Sequence, residues 1–540
     1  MKKSIFALSA AAMLAGFAGS AHAVYYFGNG ETGHVPTGMV AATELSYSGA
    51  GVGNMLFVPY VTTQDSNATM INITNTDSKN GKAVKVRFRG AGNSDDVLDF
   101  TLLLSPGDVW TASISADAQD GRSVLKTTDK SCTLPTIPDT GVYFVTDNLP
   151  EYLSDAAKAA HTREAYMEVL AMADIPATTQ DGKANALYTA IKHKNGVPNN
   201  CGATAVDKLI NTETPTDSTV ASNTYGLEAS SGGLMGSWAI FDINNVAVFS
   251  DTMPAIQAQD ANGNQGFSKI IFAPQSAEPA ATAAIVNENT NDPVLIKRQA
   301  ALWYDLPDMS TPLLSVAAYN TPVLQLKKLE TFFGKHRVIN EFTADASSSV
   351  QMATDWVVSQ PTRRYYAAME YGASQSADRL LLANLSLVGP TNIGGGIKNP
   401  SGAMGSSDTY GIGTVTVPSG VADNPYYGLV LKNQGQMGTF ACHSVKIGVT
   451  DREESTIASG AVFSPGKAGT VCGEVFVVSF GAASPLHSAL TNLRAPSTNF
   501  KEGWGYAHFH DTAKLPLVGF AGTALKDGDK NYGVTLNHRW

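Results

Sequence analysis

From residue 55 onward the chain alternates apolar and polar positions with the two-residue period of a β-strand. In 69–75, Ile71 and Ile73 face one way, and Met70, Asn72 and Thr74 face the other. In 83–89, Val84, Val86 and Phe88 are predicted to point into a core, with Lys85, Arg87 and Arg89 outward and solvated. Residues 55–61, 97–104 and 109–114 read as further strands, and Ser105-Pro-Gly-Asp108 supplies the sharp reversal between the last two. Strands of this length, joined by short turns, predict a mainly β chain of antiparallel β-sandwich (immunoglobulin-like) domains rather than a parallel α/β sheet.

The middle of the chain is less regular. Residues 151–173 fit a helix, yet 165–175 also fit a strand. Short helices are predicted over 183–194 and 204–211, in an excursion that carries Cys201, and 234–249 returns to strand pattern around Trp238. Further strands are expected at 338–342, 352–358, 471–479, 515–524 and 532–540. This pattern divides into sandwich regions 24–330 and 331–540, with irregular, partly helical insertions at 176–230, 255–300 and 373–460. Tyr532, Val534, Leu536, His538 and Trp540 share one strand face, as in the closing strand of an outer-membrane barrel. The polar pair His538 and Arg539 and the uneven strand spacing argue against a barrel.

Composition moves the picture outside the cytoplasm. Lys2 and Lys3, the apolar run 5–18 and Ala21-His22-Ala23 form the pattern of a secretory signal peptide over 1–23, so the mature chain is expected to begin at Val24. Charged residues are 16% of the chain, against roughly a quarter in ordinary soluble proteins. The net charge is −10, and removing Lys2 and Lys3 with the signal makes it −12. No basic cluster stands out, which argues against nucleic acid as a partner. Four cysteines in an exported chain predict disulfides, and of the three pairings Cys132–Cys201 with Cys442–Cys472 is preferred because each closes a loop inside one half.

Catalytic signatures are missing: the sequence has no GxSxG, HExxH, GxxxxGK[ST] or GxGxxG. His508 and His510 lie on one strand face but lack a nearby third ligand. Two turns have the alternating oxygens of calcium loops, Asp260 with Asn262 and Asn264, and Asp527 with Asp529 and Asn531. Neither is an EF-hand, and the simpler reading of each is a solvated β-turn.

Several segments, taken in order, carry a resemblance: Phe57-Val-Pro-Tyr-Val-Thr62, Lys85-Val-Arg-Phe-Arg89, Asp96-Val-Leu-Asp-Phe100 with Leu104-Ser-Pro-Gly-Asp-Val-Trp110, Trp303-Tyr-Asp-Leu-Pro-Asp-Met-Ser-Thr-Pro312, Ala353-Thr-Asp-Trp-Val-Val358 with Pro361-Thr-Arg-Arg-Tyr-Tyr366, and Leu515-Pro-Leu-Val-Gly-Phe520. Together they resemble a family of proteobacterial exported proteins described as cell-surface or surface-layer (S-layer) proteins. The resemblance implies a β-rich coat component with no catalytic residues to carry over. The expectation is therefore a non-enzymatic protein that assembles with itself into a lattice on the outer membrane, held by its surface or by lipopolysaccharide, with calcium assisting. A surface adhesin or glycan binder using Trp303, Tyr304 or Trp504 as stacking platforms is the competing expectation, and a secreted hydrolase the third.

Overall fold

Local alternation sets the first strands where the pattern puts them. Asn67–Asn75 buries Ile71 and Ile73 and leaves Met70 exposed, and Gly107, with φ +72°, makes the turn between Asp96–Leu104 and Val109–Ala116. The computed structural model describes residues 38–211, 218–272, 307–319, 322–347, 349–382, 409–411, 429–452, 469–481, 483–495, 501–509, 515–528 and 530–539. The expected signal segment, Trp303, Tyr304, His510, Asp529 and Trp540 lie outside them.

The first sandwich stacks a seven-stranded sheet on a six-stranded one. The seven-stranded order is Glu44–Tyr47, Ala255–Gln259, Met55–Thr62, Glu164–Ile175, Gly81–Gly90, Asp96–Leu104 and Cys132–Leu134. The six-stranded order is Ala247–Thr252, Leu234–Asp242, Asn67–Asn75, Val109–Ala116, Ser123–Lys126 and Val142–Tyr143. Between the layers Phe100 meets Trp110 with ring centroids 5.5 Å apart. In the second sandwich one sheet runs Arg337–Thr343, Glu502–His508, Thr439–Asp451 and Val430–Asn433, with Gly469–Cys472 also paired to Thr439–Asp451. The other runs Thr491–Ala495, Val475–Phe480, Val350–Ser359, Val518–Asp527 and Lys530–Asn537. Phe342 and Phe480 stack at 4.6 Å between these layers, beside Trp356. These sheets are open and antiparallel apart from one parallel edge pair, not barrels.

Several expectations need correction. The segment that fitted both helix and strand divides: Asp155–His161 is a helix, started by Ser154 accepting from the Ala157 N–H, and Glu164–Ile175 is a fully buried central strand. Ala255–Gln259, placed by its composition in an insertion, is paired inside the seven-stranded sheet. Thr439–Asp451, placed in the 373–460 excursion, is a central strand of the second sandwich. The division at 330/331 falls within the helix Pro322–Phe333. The helix Thr204–Asn211 forms as read, and that over 183–194 is the shorter Ala186–Ile191, capped by Asn185.

Lys85, Arg87 and Arg89 are not solvated. Each is at most 3% exposed, as buried as Val84, Val86 and Phe88 on the opposite face. Asp308 and Arg364 from the distant part of the chain reach that layer, and the cations there are matched by carboxylates. Lys85 Nζ is 2.6 Å from Asp99, and Arg87 Nη1 is 3.2 Å from Asp96. Arg89 and Arg364 both approach Glu168 Oε1, at 3.6 and 4.0 Å, while Arg364 Nη2 holds Asp308 at 2.5 Å. Burying this many charges is tolerable only because each has an opposite neighbour in the low-dielectric layer.

Candidate functional site

The two sandwiches meet along a broad seam. Asn67 Nδ2 donates to Leu486 O at 2.7 Å, Ser488 donates to Glu164 at 2.6 Å, and Asn93 Nδ2 donates to Thr439 O at 2.9 Å. Where the seam opens, a cleft of about 500 Å³ remains. Tyr47, Trp238, Phe332, Phe333 and Phe520 give it aromatic walls. Trp238 lies on Phe520 at 4.7 Å, and Tyr47 meets Phe333 edge-on at 6.4 Å. Burial, with the negative charge of Asp251, pushes the Tyr47 hydroxyl above its ordinary pKa.

Besides Tyr47, the ionisable lining groups are Asp251, Lys335 and His538. His538 is occupied structurally: Nε2 faces Val357 O at 2.9 Å, and Nδ1 faces the Asn340 amide at 2.9 Å. Burial lowers its pKa to about 4, so it stands there as a neutral imidazole. The cleft thus offers stacking surface with one carboxylate and one ammonium, a chemistry of binding.

Both expected disulfides are present. Cys132–Cys201 ties the first sandwich to the helical excursion, between helices Ala186–Ile191 and Thr204–Asn211, across 69 residues of sequence, and Cys442–Cys472 joins directly opposed positions of neighbouring strands. The oxygen-rich turns behave differently from each other. At 260–264 Asp260 Oδ1 accepts from the N–H groups of Asn262 and Asn264 at 2.8 and 2.9 Å, and Oδ2 takes the Asn264 amide at 3.3 Å. The carboxylate is folding its own loop, and those backbone bonds hold its pKa below the ordinary value.

At 527–531, Asp527 pairs with Lys530 and Lys526 with Asn531. Adjacent ladder positions alternate faces, so Asp527 and Asn531 point to opposite sides of the hairpin rather than converging. Among the described residues no group of three or more His, Cys, Asp or Glu side chains could hold a metal ion. Of the three aromatic platforms named from sequence, Trp504 is described, and it is 47% exposed. Tyr506, two positions later on the same face and also exposed, joins it, a partner that the i, i+2 spacing of a strand implies.

The last strand adds an apolar surface. Tyr532, Val534 and Leu536 are 56, 43 and 39% exposed along Lys530–Asn537, which is the terminal strand of its sheet. Its other face meets the first sandwich: Ser250 N–H donates to Thr535 Oγ1 at 3.0 Å, and Val248 O lies so close to Gly533 that a Cβ there would sit 2.2 Å from it. Val246 and Val248, on the neighbouring turn and strand, are exposed as well.

No family model and no curated protein matches the chain. Among solved structures, a lectin from Pleurotus ostreatus in complex with GalNAc aligns over 92% of this chain and 86% of that one at 7% identity, with a TM-score of 0.12. A likeness at that level carries no argument about either fold or activity. Two disulfides fit an oxidising compartment, and among the described residues no helix is long and apolar enough to cross a membrane.

Proposed function

We propose that the chain is a non-catalytic structural protein of a cell-surface layer, exported and assembled with copies of itself on the outer membrane. The observation that carries this reading is the exposed apolar row Tyr532, Val534 and Leu536 on a terminal strand. An edge of this kind is a ready template for another chain, and proteins that act alone usually blunt it with charge or cover it. The two sandwiches joined behind it supply a rigid building unit, and closed or repeating self-contacts turn such units into arrays. The acidic balance of the chain makes copies repel one another in pure water, so calcium has a part to play as a screen or bridge between them.

The test is direct. Negative-stain images of cell envelopes should show an ordered array that is lost when the gene is deleted. Purified protein should form sheets or large oligomers with millimolar calcium and stay small in chelator. Val534→Lys with Leu536→Lys should prevent assembly while leaving the melting temperature within a few degrees. Identical light scattering with calcium and chelator removes the calcium role, and a protein that is monomeric throughout and absent from envelopes removes the coat.

A further inference from the structure

We propose that the outward face of strand Glu502–His508 is a stacking ledge for a neutral polysaccharide. This goes beyond the coat reading and does not depend on it, because it concerns a different surface. The strand reads Gly503-Trp504-Gly505-Tyr506-Ala507, and the alternation is sharp. Every inward position is glycine or alanine. A Cβ on Gly505 would lie 2.7 Å from Gly448 O and 3.2 Å from the Trp356 ring, so the strand sits tight on the core below it. The outward positions are the two aromatics, Trp504 at 47% and Tyr506 at 36% exposure. Two residues of strand separate them, about 7 Å.

The rings have a prepared bed. Tyr506 lies between Ile339 and Gly448 in the ladder, and its ring lies over the glycine: a Cβ on Gly448 would be 2.4 Å from Tyr506 Cε1. Trp504 lies between Glu341 and Thr450, so its indole is flanked by a carboxylate and a hydroxyl. Arg539 Nη2 is 3.5 Å from Glu341, and Arg452 Nη2 is 2.7 Å from Glu502, all four side chains well exposed. Beside Trp504 the ledge therefore pairs a flat apolar ring with planar hydrogen-bonding groups in two ion pairs, and at its far end Arg337 and Lys446 flank His508.

That combination selects a partner class. Sugar rings present an apolar C–H face to stack on an aromatic and a rim of hydroxyls that both donate and accept, which guanidinium and carboxylate groups bind in pairs. Nucleic acid or an acidic polymer would call for cations in excess beside the rings, whereas at Trp504 the two ion pairs bring as many carboxylates as guanidinium groups. Two rings in a row suit successive units of a chain better than a single sugar.

The experiment uses the full mature chain in affinity electrophoresis and calorimetry against soluble neutral polysaccharides (a β-glucan, a galactomannan and hydroxyethylcellulose), with alginate as the acidic control. At least one neutral polymer should retard and bind the protein. Trp504→Ala, Tyr506→Ala and Gly448→Val should each weaken that binding tenfold or more. Because Gly448→Val could disturb the fold, the unaltered protein supplies a second readout: bound polysaccharide should protect Trp504 from N-bromosuccinimide oxidation, located by peptide mass mapping. No binding and no protection with any neutral polymer, or tighter binding to alginate, overturns the proposal. So does a ledge that proves to be a contact between copies, seen as oligomers that Trp504→Ala alone dissolves. Val534→Lys with Leu536→Lys should leave glycan binding unchanged, which separates this test from that of the coat.

Discussion

At the scale of single residues, the decisive groups are ionisable side chains kept from water. Arg364 joins Asp308 and Glu168 beneath the seam. Replacing it with Met takes the nearest cation from buried Asp308 and leaves Glu168 with Arg89 alone, and should lower stability by about 3–5 kcal/mol. In urea unfolding the double variant Asp308→Asn with Arg364→Met should lose clearly less than the sum of the two single changes, whereas additivity within about 0.5 kcal/mol would mean the pair does not interact. Buried histidines and acids set opposite responses to pH. His161 Nε2 faces Met437 O at 2.6 Å, and burial lowers its pKa to about 4 from the ordinary 6.5, as for His538. The unfolded chain takes up these protons first, so stability is lost as pH falls from about 6.5 towards 4. Asp95 runs the other way. Burial raises it to about 7 from 3.8, against the hydrogen bond from Tyr371, so its contribution is lost as pH rises from about 4 through 7. His161→Asn should therefore flatten the acid side of the stability curve, by on the order of 3 kcal/mol between pH 7 and 4. Asp95→Asn should flatten the neutral side, and chemical denaturation at pH 4.5, 6 and 8 reads both signs.

At the scale of elements, the strands were largely legible and their surroundings were not. Alternation is a local signal, so Asn67–Asn75 and Gly81–Gly90 could be drawn from neighbouring residues alone. The same alternation says that two faces of a strand differ, but not that the polar one meets water. Arg87 and Arg89 are buried because their cover comes from residues more than 200 positions away. Thr439–Asp451 was lost among glycines and serines, although its pairing with Glu502–His508 makes it central. The disulfides were legible because each lies within one half, and the aromatic ledge was half legible, through Trp504 without Tyr506. Gly533 is a position that only the assembled elements explain. It lets strand Ala247–Thr252 of the first sandwich cross the last strand of the second, with Val248 O where a side chain would begin. Gly533→Ala should force these strands apart and cost about 1–3 kcal/mol, measured as a fall in thermal midpoint. Gly528, at φ +60° with open space around it, should cost less on replacement by Asn, which tolerates that conformation.

At the scale of the molecule, the question is whether two sandwiches behave as two bodies. Interfaces between ordinary domains are modest and polar, and relative motion is the usual expectation. This seam has a different character. Trp238 of the first half packs at a tilt against Phe520 of the second, and Glu164 is held by Ser488 and the Ala489 N–H. Glu474 N–H donates to Ala91 O at 2.8 Å, so even backbone bonds cross it. Separating the halves would put the face carrying Lys85, Arg87, Arg89 and Glu168 into water while uncovering Trp238, Phe440 and Phe520 together. Parting at the seam therefore forfeits apolar burial and hydrogen bonds at once, and neither half retains a finished surface. The full chain should unfold in a single calorimetric transition whose calorimetric and van't Hoff enthalpies agree. Arg364→Met should move that whole transition down rather than split it, because the ion layer belongs to both halves. Two resolved peaks in the parent protein, or one peak shifted and one unmoved in the variant, would show instead that the sandwiches are stable apart and that the seam only docks them.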